Sequence, residues 1–165
     1  MKISKIDIEV VQVEKDKDTQ VIIGHAGFIK TIEDLYEAMV NAVPNVKFGV
    51  AFAEASGACL VRSEGTSEEL VRQAEENVLK IGAGHTFMIL FKGAYPINVV
   101  NSVKAVNEVV RIYCATANPV QVIVATTDQG RSVVGVVDGS ASKGIEGKED
   151  KEARKKLLRD IGYKL

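Results

Sequence analysis

The sequence predicts a single α/β (α+β) domain over residues 1–165, with a mixed β-sheet, β-hairpins and about four helices. Three observations predict it. The length, 165 residues, is that of one domain. A chain with 46% hydrophobic and 26% charged residues can bury a core without disulfides or metals. Segments that alternate with period two outnumber segments of helical period, and the two kinds are interleaved. That pattern favours hairpins and helical crossovers over a doubly wound parallel sheet. No repeat or linker divides the chain.

The elements follow in order. Lys2–Val13 alternates Ile6, Ile8 and Val10 against Lys5, Asp7 and Glu9, which predicts a half-buried strand. Thr19–Ile23 is a second strand, stopped by Gly24-His25-Ala26-Gly27. Ile32, Leu35, Tyr36, Met39, Val40 and Val43 form one helical stripe, with Thr31 as the expected N-cap and Pro44 as the stop. Val46–Ala53 is a strand that turns at Ala55-Ser56-Gly57 into Cys59–Arg62, a hairpin. Thr66 and Glu69 have the spacing of a capping box for a helix with Leu70, Ala74, Val78 and Ile81 inward and Gly82 at its end. His85–Phe91 reads as a buried strand, and Pro96 opens a helix to about Glu108. Val110–Ala115, Val120–Thr126 and Ser132–Val137 are strands. After the Gly/Ser-rich stretch 140–147, Glu149–Ile161 is a cationic helix expected to bury Ala153, Leu157, Leu158 and Ile161. So many strands leave β surface that another subunit would cover.

Charge and composition exclude several classes. The net charge of −1 supplies no field for nucleic acid or an anionic membrane. Residues 143–165 carry +3 against −4 for the rest, but without interleaved aromatics that would stack bases. Two cysteines, Cys59 and Cys114, fit a reducing compartment. The N-terminus lacks an apolar signal core, and the longest uncharged run, the 16 residues 112–127, is too short to span a bilayer. The expectation is a cytoplasmic protein without nucleic-acid or membrane partners.

The chain holds no P-loop, no dinucleotide fingerprint, no protein-kinase signature set and no zinc spacing. What remains is a set of polar residues at strand ends. His25 lies between Gly24 and Gly27, which let a ligand approach, and just before the helix opened by Thr31, whose amides and dipole suit an anion. Lys30 adds a cation. This arrangement suits phosphate binding or phosphoryl transfer to nitrogen, but a plain turn histidine is equally compatible with it. His85 reads as a histidine at a turn. Glu54 continues the apolar face of Phe48, Val50 and Phe52, as a metal ligand, base or orienting group would, or as a solvated strand end. Asp138 ends a strand and could reach Mg²⁺, or simply make an Asp-Gly turn. Thr116 and Asn118 offer a hydroxyl and an amide, in what is also an ordinary Asn-Pro turn.

Three segments taken together are more specific. They are Gly24-His25-Ala26-Gly27-Phe28-Ile29-Lys30-Thr31-Ile32-Glu33-Asp34-Leu35-Tyr36-Glu37, then Phe48-Gly49-Val50-Ala51-Phe52-Ala53-Glu54-Ala55-Ser56-Gly57, then Cys114-Ala115-Thr116-Ala117-Asn118-Pro119-Val120. With Gly162-Tyr163-Lys164 they resemble the adenosine-specific kinase family of archaea and bacteria, over nearly the whole chain. The resemblance implies a compact α/β protein that forms oligomers, with trimers the expected number. It implies binding of adenosine, AMP, ADP and ATP with Mg²⁺, and a histidine, matching His25, that carries a phosphoryl group. On this reading His25, Glu54 and Lys30 are the catalytic candidates. Gly24, Gly27, Thr31, Ser56, Thr116 and Asn118 are the nucleotide-binding candidates, and Glu54 and Asp138 the metal candidates. The alternative is a non-catalytic adenine-nucleotide-binding or regulatory module that stores the phosphoryl group on the histidine.

Overall fold

The computed structural model describes residues 5–165. The start of the predicted first strand, residues 2–4, lies outside the described residues. The elements are β1 (Asp7–Gln12), β2 (Gln20–Ala26), α1 (Thr31–Ala42), β3 (Lys47–Ala53), β4 (Val61–Gly65), α2 (Glu68–Ile81), β5 (Thr86–Lys92), α3 (Pro96–Lys104), β6 (Val109–Thr116), β7 (Val120–Thr126), β8 (Arg131–Asp138) and α4 (Lys148–Asp160). The α/β class, the four helices and both hairpins are those expected. The strands divide between two sheets, in order β4-β3-β5-β2-β6 and β1-β7-β8, and every ladder is antiparallel. The expected mixed sheet does not form, for a topological reason. Each helical crossover skips a strand: α1 leads from β2 to β3 with β5 between, α2 from β4 to β5 with β3 between, and α3 from β5 to β6 with β2 between. The strand inserted each time runs the other way.

Two cores result. One face of the five-stranded sheet packs Ile22, Phe48, Phe52, Phe87 and Phe91 under Leu35 and Met39 of α1 and Val99 and Val103 of α3. The other face meets α2 and the inner face of the small sheet, through Val122, Val124 and Val133. The layers are therefore α1 with α3, the large sheet, then α2 with the small sheet. Gly49 and Gly65 are needed where α2 crosses: a Cβ on Gly49 would lie 2.2 Å from the Val71 nitrogen, and one on Gly65 2.7 Å from a Val71 methyl.

Several local expectations are corrected. The N-cap of α1 is Lys30, and Thr31 is a fully buried first helical residue whose hydroxyl donates to the Phe28 carbonyl at 2.6 Å. Thr66 does not cap α2. Its hydroxyl donates to Val46 O and accepts from Phe48 N–H, fixing the start of β3, while α2 begins after Ser67 and ends on the left-handed Gly82 as expected. α3 stops at Lys104, four residues before the expected end. In β1 the apolar residues Ile8 and Val10 point outward, because they pair with Ala125 and Ile123 on the outer face of β7 while Val122 and Val124 take the core. Alternation defines two faces of a strand but not which one is covered. Finally, α4 has no fully buried residue: of the residues expected to pack inward, Leu158 is half-buried beside Tyr95 and Tyr163, while Ala153, Leu157 and Ile161 are exposed.

Candidate functional site

The C-terminal end of β2 meets the end of β3 and the start of β5. Two register shifts interrupt the β2–β6 ladder, one on either side of the Gly24-His25 pair. Such bulges re-aim side chains, and they occur often beside active sites. Gly24 is demanded by packing as much as by any ligand: a Cβ there would come within 2.6 Å of the Phe87 ring and of the Arg111 carbonyl.

His85 proves central. Its backbone has φ +64°, a left-handed conformation unfavourable for a side-chain-bearing residue. Hydrogen bonds on both sides hold it there: its N–H donates to Ala53 O at 2.7 Å, and its carbonyl accepts from Ala26 N–H at 3.0 Å. The imidazole stacks on Phe52 with ring centroids 5.7 Å apart and meets the His25 ring edge-on at 5.8 Å. A Cβ on Gly27 would lie 3.0 Å from His85 Nδ1, so this glycine makes room for the second histidine. His85 Nε2 is 4.0 Å from Glu54 Oε1.

Glu54 is not a solvated strand end. Its side chain is 14% exposed, and Oε2 pairs with Arg62 at 3.1 Å. Its Oε1 accepts from Ala55 N–H at 3.0 Å, with the Ser56 hydroxyl at 3.4 Å. Arg62 is fixed from a third side, donating to Ile29 O at 3.0 Å. The turn between β3 and β4 reaches this position through left-handed Gly57 and Cys59. A cavity of about 600 Å³ opens over these groups, with Gly27, Glu54, Ser56, Cys59, Arg62 and His85 in its wall. Exposed Phe28, Ile29 and Leu60 supply apolar surface beside them. His25 itself stands behind His85 rather than in the wall.

Burial, and then the charges of His85 and Arg111, hold the His25 imidazole below its ordinary pKa, so it stays neutral near pH 7. Lys30 is occupied. Its ammonium pairs with Asp34 and lies 3.0 Å from Glu108 Oε1, and these carboxylates push its pKa upward. Glu108 is buried.

The remaining candidates lie elsewhere. Thr116 sits opposite Val21 on β2, whereas Arg111 sits opposite His25. Four residues of strand span roughly 13 Å. At that far end Asn118 donates through Nδ2 to Asp138 Oδ1 at 3.0 Å, and its N–H donates to the Thr116 hydroxyl at 3.1 Å. So the structure joins His25, Gly27, Glu54 and Ser56 at one end, and Thr116, Asn118 and Asp138 at the other. Within one chain Glu54 and Asp138 do not share a metal. Among the described residues no group of three or more His, Cys, Asp or Glu side chains could hold one. Both Glu54 oxygens are already engaged, so the donor set does not fit a resident Mg²⁺.

The sequence reading missed Arg62 and Arg111 and assigned His85 only to a turn. One signal was available. In the β3–β4 hairpin Arg62 pairs directly with Phe52, on the face that Glu54 continues, so drawing the register would have put Arg62 beside Glu54.

Comparison with known proteins agrees with this architecture. A family model described as adenosine specific kinase matches residues 11–164. The crystal structure of the PH1918 protein from Pyrococcus horikoshii OT3 superposes with a TM-score of 0.95 at 49% identity, covering 98% of this chain and 99% of that one. No curated protein matches the chain. With the family model covering nearly its whole length, the chain belongs to the adenosine-specific kinase family.

Proposed function

We propose that the protein is a phosphotransferase that binds adenosine and its phosphates and moves a phosphoryl group through His25. The observation that carries this reading is the His25–His85 pair. A neutral imidazole is held beside a cavity that contains a fixed arginine and apolar walls. Phe28, Ile29 and Leu60 offer the surface an adenine ring needs, and a volume near 600 Å³ lies within the range of small-ligand sites.

The step balances simply. The unprotonated nitrogen of His25 attacks the γ-phosphorus of ATP, the N–P bond forms as the P–O bond to ADP breaks, and ADP leaves. A hydroxyl of adenosine then attacks, the N–P bond breaks, and the imidazole takes the hydroxyl proton. Such transfers depend mostly on positioning and charge neutralisation. Arg62, held by Glu54 and the Ile29 carbonyl, and Arg111, opposite His25 on β6, supply positive charge, and Mg²⁺ enters with ATP as part of the substrate. Glu54 orients Arg62 and faces His85. Lys30 contributes only if ATP draws it from Asp34 and Glu108. Thr116, Asn118 and Asp138 join the site only across a subunit boundary in a homo-oligomer, with a trimer as the proposed number.

The occupied state of Lys30 and Glu54 favours a second reading, a nucleotide-binding or regulatory module in which phosphorylated His25 is a stored state. Two measurements test the proposal. Ligand binding raises the melting temperature, and ATP, ADP and AMP should do so where GTP does not. AMP should then accumulate catalytically from ATP and adenosine. Adenine-specific shifts with a single turnover support the module, and equal shifts with GTP contradict both readings.

A further inference from the structure

The two halves of the phosphoryl transfer differ in their need for a base. In the first, the neutral His25 nitrogen attacks phosphorus with a lone pair it already holds, and no proton has to leave the nucleophile. In the second, the nucleophile is a hydroxyl of adenosine, whose proton must go as the O–P bond forms. The His25 nitrogen that finally receives that proton is bonded to phosphorus until the N–P bond breaks. Another group has to hold the proton in the interval.

The polar side chains of the cavity wall leave one candidate among the described residues. They are Glu54, Ser56, Cys59, Arg62 and His85. Both oxygens of Glu54 are engaged, Oε2 by Arg62 and Oε1 by the Ala55 N–H. Arg62 is a permanent cation with no lone pair to offer. A serine hydroxyl is not a base near neutral pH, and Cys59 directs its thiol at the Gly57 carbonyl. Histidine is the side chain that both takes and releases a proton there. The structure also holds His85 in place. Hydrogen bonds to Ala53 and Ala26 fix its left-handed backbone, Phe52 supports one face of the ring, and Gly27 leaves room at Nδ1. The side chain is 37% exposed, so a ligand in the cavity reaches it. Nε2 faces Glu54 Oε1 at 4.0 Å, where the carboxylate favours an imidazolium without tying the ring up in a hydrogen bond.

We propose that His85 is the acid–base residue of the second half-reaction, taking the proton of the adenosine hydroxyl and returning it to His25. The O–H bond breaks toward a His85 nitrogen as the O–P bond forms and the N–P bond breaks. The His85 imidazolium then gives its proton to the freed His25 nitrogen. The two rings meet edge-on at 5.8 Å between centroids, a gap that one water bridges.

The inference rests on the function proposed above, and measuring the half-reactions apart separates the two. Loading is read as intact mass after ATP and Mg²⁺ at pH 8, where the His25 imidazole is unprotonated with or without the charge of His85. Discharge is read as AMP formed when adenosine is added to loaded protein freed of ATP. His85→Asn removes the ring and suits the backbone, because asparagine tolerates positive φ better than most side chains. If circular dichroism shows it unfolded, His85→Gln carries the same test. His85→Asn should load as wild type does and discharge about 100-fold more slowly or worse. Free imidazole should restore AMP formation, and pyrazole, similar in shape but scarcely basic, should not. Discharge by His85→Asn at the wild-type rate overturns the inference. So does loss of loading together with discharge, or a slow discharge that imidazole speeds no more than pyrazole. A wild type that does not load, or that loads and forms no AMP, overturns the phosphotransferase reading and this inference together.

Discussion

The two ends of strand β2 are built from similar residue types and reach opposite results. At the His25 end, charged side chains are brought together at a cost. His85 sits in a left-handed conformation, two bulges break the ladder, and Arg62 with Glu54 is held at a cavity wall. At the Thr116 end the polar groups satisfy one another. Asn118 spans Asp138 and the Thr116 hydroxyl, as an ordinary turn does. Backbone strain that is stabilised by surrounding hydrogen bonds marks a position where geometry matters for more than folding. A closed hydrogen-bond set carries no such mark. The difference teaches that a hydroxyl, an amide and a carboxylate at a strand end do not by themselves make a site, and that the unspent groups are the informative ones.

Substitutions can break that comparison. Arg62→Ala should produce the largest effect. Losing a charge-assisted donor to phosphate costs roughly 1.5–3 kcal/mol, so ATP-dependent phosphorylation should fall by about 10-fold or more. Lys30→Ala should change it by less, within about 3-fold, because Lys30 is already paired. Asn118→Ala should change the rate of the isolated chain least, within about 2-fold, and instead lower the melting temperature by loosening the turn. Rates and melting curves for the three variants check the order. A larger rate loss for Asn118→Ala than for Arg62→Ala reverses the assignment of the two ends.

A smaller effect sharpens the comparison through pH. Burial, His85 and Arg111 depress the pKa of His25 below 6.5. Its nucleophilic form therefore persists further into acid than a free imidazole, and the phosphorylation rate should fall only at a pH below that of a free imidazole. Arg111→Leu should move the acid limb of the profile back toward neutrality. Linkage gives the matching stability change. Between pH 6.5 and the lower folded value, the unfolded chain takes up the proton first, so stability declines as the pH falls. An acid limb centred at or above 6.5 in wild type would show that the surroundings of His25 do not act as described.

Much of the fold was legible in sequence because periodicity reports burial directly. The stripe from Ile32 to Met39 and the Phe48–Phe52 alternation both lie in the core as expected. Gly82 ends α2 as its position suggested. What periodicity could not supply was the identity of the covering layer. Ile8 and Val10 alternate as core residues do, and Leu157 and Ile161 lie on a helical stripe, yet all four are exposed within one chain. Their pattern marks apolar faces, and within the chain those faces stay exposed. The candidate site was legible in part. His25 and Glu54 stood out by their neighbours, whereas His85 reaches His25 through the β2–β5 pairing some 60 residues away and Arg62 reaches Glu54 through the register of the β3–β4 hairpin, which a linear reading does not display. The caps misled for a similar reason: Thr31 and Thr66 hydrogen-bond away from the helix starts they seemed to serve.

The central claim is that His25 accepts a phosphoryl group at this site. Intact mass after incubation with ATP and Mg²⁺, before and after brief acid treatment, tests it most directly in wild type and His25→Asn. A phosphoryl group on nitrogen is lost in acid and survives base, the reverse of one on serine. The account predicts a single phosphoryl adduct on wild type that acid removes, and none on His25→Asn. An acid-stable adduct, or one that persists in His25→Asn, would contradict it.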